Sequence, residues 1–282
     1  RLEGDRDTWH RPVMNHSLVI FPENRDMQFF ELALYAEGMR RANAHRVGLL
    51  HTWNDQACAH HNASINDCRY CRSTDAAFFQ RVYGAFDLVL RQFFVPALAA
   101  YSTYLPLGPA SHNNLRSQAV PRSSVRSLFC VALLAERDHN YSYNQDRPRL
   151  LQALEGPAGS FCTVAERHGR AYLKTLSETV FSLCPWGVNP ETHRLWESAR
   201  AGAIVVTLRA GFHEELRAPF IVLDSWEELT PVLRALRGQL GQLDELQQRQ
   251  MEWFSSVTET VRARVRSLED AVFAPKSAAT RA

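Results

Sequence analysis

The sequence predicts an α/β protein built on parallel sheets and divided into two domains. Three observations carry that prediction. Apolar runs of about four to eight residues recur along the chain with helical segments between them. Strands that alternate with helices pair in parallel, because each crossover returns the chain to the same end of the sheet. The length, 282 residues, suits one large or two small domains, and residues 109–124 are rich in Ser, Asn, Pro and Arg, the composition of a boundary loop. The expected division is therefore 1–115 and 116–274, with 275–282 as a disordered tail.

The elements follow in order. Leu18 to Phe21 is a short strand, stopped by Pro22 and Asn24. Met27 to Ala44 carries helical spacing, with Phe30, Leu34 and Met39 on one stripe. Arg46 to His51 reads as a buried strand that opens into His51-Thr-Trp-Asn-Asp55 and a Cys-rich loop. Phe86 to Arg91 is another strand, and a further one ends at Pro106-Leu-Gly108. In the second half, Ser127 to Leu134 is strongly apolar, and a polar loop then leads to a helix at Arg149 to Leu154. Phe161 to Val164, Val180 to Cys184, Ala203 to Thr207 and Phe220 to Leu223 are four more strands. Ser225-Trp-Glu-Glu228 has the capping-box pattern, and Leu229, Leu233, Leu236, Leu240 and Leu243 follow at helical spacing. Met251 to Phe254 lies on a second long helix, so residues 226–273 are helical.

Composition narrows the function. Hydrophobic residues make 45% and charged residues 22%, which excludes a disordered chain, a collagen repeat and a coiled-coil rod. A net charge of +2 does not predict a nucleic-acid partner. Lys174 and Lys276 are the only lysines among 32 basic residues. That bias is either codon usage or anion recognition by guanidinium forks. No apolar run reaches the ~18–20 residues of a membrane span, and no signal-peptide pattern is present. The chain starts at Arg1, so its own N-terminus, with any anchor, is expected upstream.

Of six cysteines, Cys58, Cys68 and Cys71 crowd together. With His60 or His61 they have zinc-ligand spacing; without metal they read as a disulfide loop. Three glycosylation sequons, at Asn15, Asn62 and Asn140, favour the disulfide and a secretory compartment, with a bridge that includes Cys58. Cys130, Cys162 and Cys184 sit in apolar segments and are expected to be buried thiols.

The most informative stretch is Phe181 to Val206. A strand ends at Cys184, and a Pro-Trp-Gly loop turns the chain. Asn189 is a good N-cap and Pro190 suits the first helical position. The helix runs to about Arg200, and Gly202 provides a left-handed stop before the next strand. Such a βαβ unit aims a helix N-terminus at the sheet edge where open α/β sheets bind ligands, and that N-terminus favours phosphate. Thr192 and Arg194 add donors there, and Glu197 can accept from a ribose hydroxyl pair. The plainer alternative is a solvated Arg194–Glu197 pair at i,i+3.

The run Leu183-Cys-Pro-x-Gly187, then Thr192-x-Arg194-Leu-x-Glu197, then Ala201-Gly-Ala-Ile-Val-Val206 resembles the donor-binding signature of exostosin-like (GT47-type) glycosyltransferases. The family form is a CP-x-G loop, S-x-R-x-x-E-A and a G-x-I-P-V strand; Thr192 replaces its Ser and Val205 its Pro. Phe86 to Phe94, Pro106-Leu-Gly108, Arg126 to Phe129 and Ala218 to Leu229 extend the similarity in both directions. The Cys-Pro-x-Gly-Val-Asn-x-Glu form lies closest to the ribitol xylosyltransferase branch.

The resemblance implies a GT-B-like fold: two Rossmann-like domains with a cleft between them and C-terminal helices packing back. Only about 110 residues precede the boundary, short of a full Rossmann domain, so the N-terminal domain is either trimmed or incomplete here. It implies an inverting, metal-independent transferase that uses a UDP-sugar, xylose favoured, on a glycan or glycoprotein acceptor. No cofactor and no nucleic acid is expected. The expected setting is the Golgi lumen or secretory pathway, as a type II membrane protein when full length; a homo-oligomer stays open.

In that mechanism the diphosphate sits at the helix starting near Pro190, where Arg194 and Thr192 stabilise leaving-group charge in place of a metal. Glu197 holds the ribose. Trp186 walls the sugar pocket, and Gly187, Arg91 and Arg126 are further donor-binding residues. Asp55 is the expected catalytic base, with His51 second. Plainer roles stand beside these: loop capping for Asp55, an ion pair for Arg91, packing for Trp186. A non-catalytic, lectin-like partner of a transferase is the second reading, and nucleotide-sugar hydrolysis by the purified chain separates the two. A dinucleotide oxidoreductase is excluded by the lack of a G-x-G-x-x-G after any strand.

Overall fold

The computed structural model describes residues 16–21, 37–38, 46–51, 82–92, 94, 98–110, 120–134, 146–187 and 190–273. Two compact units divide the chain: Arg1–Leu105 with Arg262–Ala282, and Pro106–Val261. The cut thus falls before the boundary at residue 115 that composition suggested. The reason is local. Within the second unit, the Leu107 amide donates to Glu191 Oε1 at 2.7 Å, and the Ala110 amide to Glu197 Oε1 at 3.3 Å.

The first unit holds four parallel strands in the order β1-β2-β3-β4: His16–Phe21, Arg46–His51, Leu88–Gln92 and Thr103–Leu105. These are the four expected strands; Arg46–His51 matches at both ends and the others are shifted by up to three residues. Leu49, Val89, Leu90 and Tyr104 are buried along them, and Phe94 meets Tyr104 edge-on at 5.6 Å.

The second unit runs β5 (Leu128–Leu133), α1 (Asp146–Glu155), β6 (Cys162–Ala165), α2 (Gly169–Glu178), β7 (Thr179–Leu183) and α3 (His193–Arg200). It continues with β8 (Ile204–Leu208), α4 (Gly211–Leu216), β9 (Ile221–Leu223), α5 (Leu229–Leu236) and α6 (Leu240–Phe273), the last of which belongs to this unit as far as Val261. Its five strands are parallel in the order β6-β5-β7-β8-β9. Strand β5 shows why the sheet has helices on both faces. Cys130 and Ala132 pack into one core with Leu150, Phe181, Ile204 and Leu229. Val131 and Leu133 alternate to a second core with Tyr172 and Leu176. A strand buried on both faces needs apolar residues at every position, which is what Leu128 to Leu133 supplies. Each fully buried leucine there contributes roughly 1.5–3 kcal/mol.

Three details depart from the sequence reading. Cys130 and Cys162 form a disulfide, where buried thiols were expected. They are register partners on adjacent strands, and their Cα atoms lie 4.4 Å apart, within bridging range. Cys184 is a buried free thiol, as expected, and burial pushes its pKa up. Ser225 opens a short 3-10 turn and makes no side-chain cap bond, so the capping box does not form. Helix α1 begins at Asp146, before the expected Arg149. The Cys58, Cys68 and Cys71 loop, the asparagines of the three sequons, most of the helix expected over 27–44 and the tail 275–282 lie outside the described residues.

The long helix α6 is fastened to the start of β8 by two glutamines. Gln247 Nε2 donates to the Gly202 carbonyl at 2.9 Å, and its Oε1 accepts from the Ser123 amide at 2.7 Å. Gln250, fully buried, accepts from the Val205 amide at 2.9 Å and donates to the Ala203 carbonyl at 2.6 Å. These bonds satisfy backbone groups at the strand's end that the sheet leaves open. Gly202, at φ +70°, ends α3 as expected; a Cβ there would lie 2.5 Å from Val120 Cγ1 and 2.9 Å from Gln247 Nε2. Only glycine fits both the left-handed backbone and the space.

Candidate functional site

Strands β5 and β7 are neighbours, but the chain leaves β5 toward β6 and leaves β7 toward β8. This divergence is a topological switch point, where helices on opposite faces start from adjacent strand ends and leave a crevice. A cavity of about 380 Å³ lies there, lined by Leu133 and Leu134 at the end of β5, Arg147, Glu166 to Gly169, Tyr172, and Thr192 to Arg194 with Glu197. All of these belong to the second unit.

Two helix N-termini border the cavity. Helix α2 enters at Gly169, whose φ of +54° is a glycine conformation. Helix α3 starts at His193 with Thr192 as its N-cap, not Asn189, which lies outside the described residues. The first amides of both helices have no partner within their own helix and carry partial positive charge. Thr192 does not use its hydroxyl to cap α3; Oγ1 is buried without a hydrogen-bond partner. Arg194 Nε is likewise buried and unpartnered. Arg147, on the first turn of α1, brings a second guanidinium to the same cavity. Burial, then the charge of Arg194, lowers its pKa to about 10. Two cations and two helix N-termini at one crevice form a site for a multiply charged anion.

The opposite character comes from Glu197. It is 4% exposed, yet lines the cavity. Its Oε2 accepts from the Tyr172 hydroxyl at 2.6 Å and its Oε1 from the Ala110 amide at 3.3 Å. It is therefore not the solvated partner of Arg194 that i,i+3 spacing allowed. An acceptor-only carboxylate beside an anion site suits hydroxyl donors on the same ligand. Helix α3 holds these groups in place through its inner face: Leu195, Trp196, Ser198 and Ala199 are buried, and Ser198 Oγ lies 2.8 Å from Ser182 Oγ of β7.

The structure brings Thr192, Arg194 and Glu197 together in one site. Trp186 and Gly187 stand in the loop after β7, outside the cavity wall. The Trp186 amide donates to Asp146 Oδ2 at 2.6 Å, and Trp226 Nε1 donates to Oδ1 at 2.6 Å. That buried carboxylate ties the loop to α1 and to the turn before α5; burial raises its pKa against the lowering effect of those bonds.

Arg126 is a correction, and Arg91 is placed by its contact with Tyr83. Arg126 was expected at the donor site but sits before the N-terminal end of β5, away from the ligand edge. Its guanidinium donates to the carbonyls of Thr179 at 2.7 Å, Ala201 at 2.9 Å and Leu176 at 3.3 Å, gathering the ends of α2 and α3. Cations belong at helix C-termini, so its role is structural. Arg91, on β3, is 2% exposed and donates to the Tyr83 hydroxyl, with its guanidinium over the Tyr83 ring. These contacts lie within the first unit. His51 ends β2 in register with Arg91. Asp55 lies outside the described residues.

Sequence reasoning missed Arg147, Tyr172, His193 and Asp146. His193 Nδ1 lies 2.8 Å from the Gly108 carbonyl. Asp146-Arg-Pro148 does carry a start signal, an acid in the first turn followed by an early proline. Nothing in the sequence links Tyr172 to Glu197.

Residues 162–273 match the family model described as RXYLT1 C-terminal domain. Ribitol-5-phosphate xylosyltransferase 1 of Danio rerio is 31% identical over 111 residues, covering 34% of this chain and 25% of that protein. The alignment thus spans about a quarter of the length of that relative. The resemblance drawn from the Cys-Pro-Trp-Gly and Thr192-to-Glu197 motifs is borne out over this region. Among solved structures, an Anabaena protein, HepE, in complex with UDP and glucose aligns with a TM-score of 0.55 at 12% identity, covering 89% of this chain and 77% of that one. Sucrose-phosphate synthase from Thermosynechococcus elongatus aligns at 0.53 and 13% identity, covering 86% and 71%. An Escherichia coli trehalose-6-phosphate protein bound with UDP-2-fluoro glucose aligns at 0.54 and 10% identity, covering 88% and 74%. These are GT-B glycosyltransferases, and the fold of this chain is of that class.

Proposed function

We propose that the chain is a nucleotide-sugar-dependent glycosyltransferase that binds a UDP-sugar in the switch-point cavity and transfers its sugar, xylose, with inversion. The observation that carries the reading is the two-sided character of that cavity. Arg194, Arg147 and the starts of α2 and α3 line it with positive charge, which suits a diphosphate, and Glu197 lines it with a carboxylate, which suits a ribose. The match to a xylosyltransferase supports xylose as the sugar and a ribitol phosphate on a glycan or glycoprotein as the acceptor. The Cys130–Cys162 bridge supports the secretory pathway, including the Golgi lumen, because such bonds persist in oxidising compartments.

In this mechanism a base removes the proton of the acceptor hydroxyl, and the oxygen attacks the anomeric carbon from the face opposite UDP. The glycosidic electron pair leaves on the β-phosphate oxygen. Arg194, the Thr192 hydroxyl and the α3 amides are in place to stabilise that charge. We assign the base to Asp55, with His51 the second choice.

Calorimetry with UDP tests the site. Arg194→Ala should weaken UDP binding by about 2 kcal/mol, a loss of about thirtyfold, with the melting temperature unchanged. A donor panel of UDP-xylose, UDP-galactose, UDP-glucuronate and UDP-N-acetylglucosamine tests the sugar, with full turnover expected in EDTA. Undiminished UDP affinity in Arg194→Ala would move the donor elsewhere, and an absolute Mn²⁺ requirement would end the metal-independent mechanism.

A further inference from the structure

Glu197 receives donors from outside its own helix. Its carboxylate receives one donor from α2, the Tyr172 hydroxyl at 2.6 Å, and one from the segment after β4, the Ala110 amide at 3.3 Å. Glutamate χ3 is a broad torsion with no sharp preferred value, so an unheld carboxylate in a cavity samples many orientations. Here the two donors select one. The Tyr172 hydroxyl is a permanent donor: burial, then the negative charge of Glu197, pushes its pKa far above the ordinary tyrosine range. Tyr172 also lines the cavity, and its ring packs into the core with Val131, Leu133 and Leu176, which fixes the hydroxyl in turn.

We propose that Tyr172 is the positioning residue for nucleoside-sugar recognition: by holding the Glu197 carboxylate, it sets the preference for a ligand with free ribose hydroxyls. This rests on the donor-site reading above. A carboxylate accepts at about four lone-pair sites, so one held in a fixed orientation suits a vicinal hydroxyl pair. Loss of the Tyr172 hydroxyl leaves the cationic side of the cavity unchanged. The penalty therefore falls on the ribose and spares the phosphates.

The test is calorimetric titration of the full chain with UDP and with 2′,3′-dideoxy-UDP. The wild type should prefer UDP. Tyr172→Phe should lose about tenfold in UDP affinity, the worth of one hydrogen bond to a charged group, and change dideoxy affinity little. In a Glu197→Gln background, adding Tyr172→Phe should cost no further selectivity. Glu197→Asp, which withdraws the carboxylate from an intact tyrosine, should give the same selective loss and serves if Tyr172→Phe does not fold. Equal losses for both nucleotides, or no loss, would overturn the inference while leaving the donor site standing. Absence of UDP binding by the wild type would overturn the donor reading and this inference with it.

Discussion

Breaking the Cys130–Cys162 bond offers a test of the second unit's construction. The bridge joins neighbouring strands β5 and β6 and closes a loop with a sequence separation of 32. In the chain-entropy model a loop of that size restrains the unfolded chain by roughly 3–4 kcal/mol. The native cost of removing the bond is small by comparison, because β5 and β6 stay paired in register at Val131 and Thr163 and beyond. For a unit of roughly 150 residues, that loss converts to a melting-temperature drop of about 6–16 °C. The assay is a calorimetric melt of the wild type with and without reductant, beside a Cys130→Ala/Cys162→Ala variant. The reduced protein and the variant should melt together, well below the oxidised protein. Cys184, free and buried, should react with a thiol reagent only after unfolding. A reductant-insensitive melt, or free thiols at both positions by mass spectrometry of the unreduced protein, would refute the bridge and remove its support for a secretory location.

Two further predictions concern buried polar groups. His213 is held neutral, its pKa lowered to about 4 by burial first and the charge of Arg209 second. The unfolded chain takes up a proton near 6.5, so stability is intact above that pH and falls between 6.5 and about 4. The loss from pH 7 to pH 5 should be about 2 kcal/mol by urea titration, and His213→Gln should flatten it; an unchanged slope would remove His213 as the cause. Gln250→Ala orphans the Val205 amide and the Ala203 carbonyl and should cost about 2–4 kcal/mol, whereas Gln248→Ala on the exposed side should cost under about 0.5 kcal/mol; equal costs would contradict the anchoring of α6.

Much of the fold was legible because its strands are short apolar runs bounded by turn residues. Arg46 to His51 is a strand from end to end, and every strand expected in the second half is present within one or two residues. The grouping of Thr192, Arg194 and Glu197 at one cavity was legible because they are the N-cap and the first two turns of one helix, so a single βαβ reading brings all three together. What failed was pairing at a distance. The Cys130–Cys162 bond depends on strand register, which apolarity alone does not set. Arg126 sits next to a strand of the nucleotide-binding unit, but at the end opposite the ligand edge. Tyr172 looks like another core aromatic on α2, and only its bond to a carboxylate 25 residues away distinguishes it.

The segment from Leu107 to Ala110 decides where the second unit can be separated from the first. Its backbone reaches the start of α3 three times: Leu107 to Glu191, Gly108 to His193 and Ala110 to Glu197. A shortened protein beginning at residue 116, where composition alone suggested the boundary, would keep every strand of the second sheet and would still fold by ordinary spectroscopic criteria. It would lack the backbone that steadies the cavity-facing start of α3. Weak nucleotide binding by such a fragment would then report a misplaced cut, whereas the same unit begun at Pro106 carries its own support.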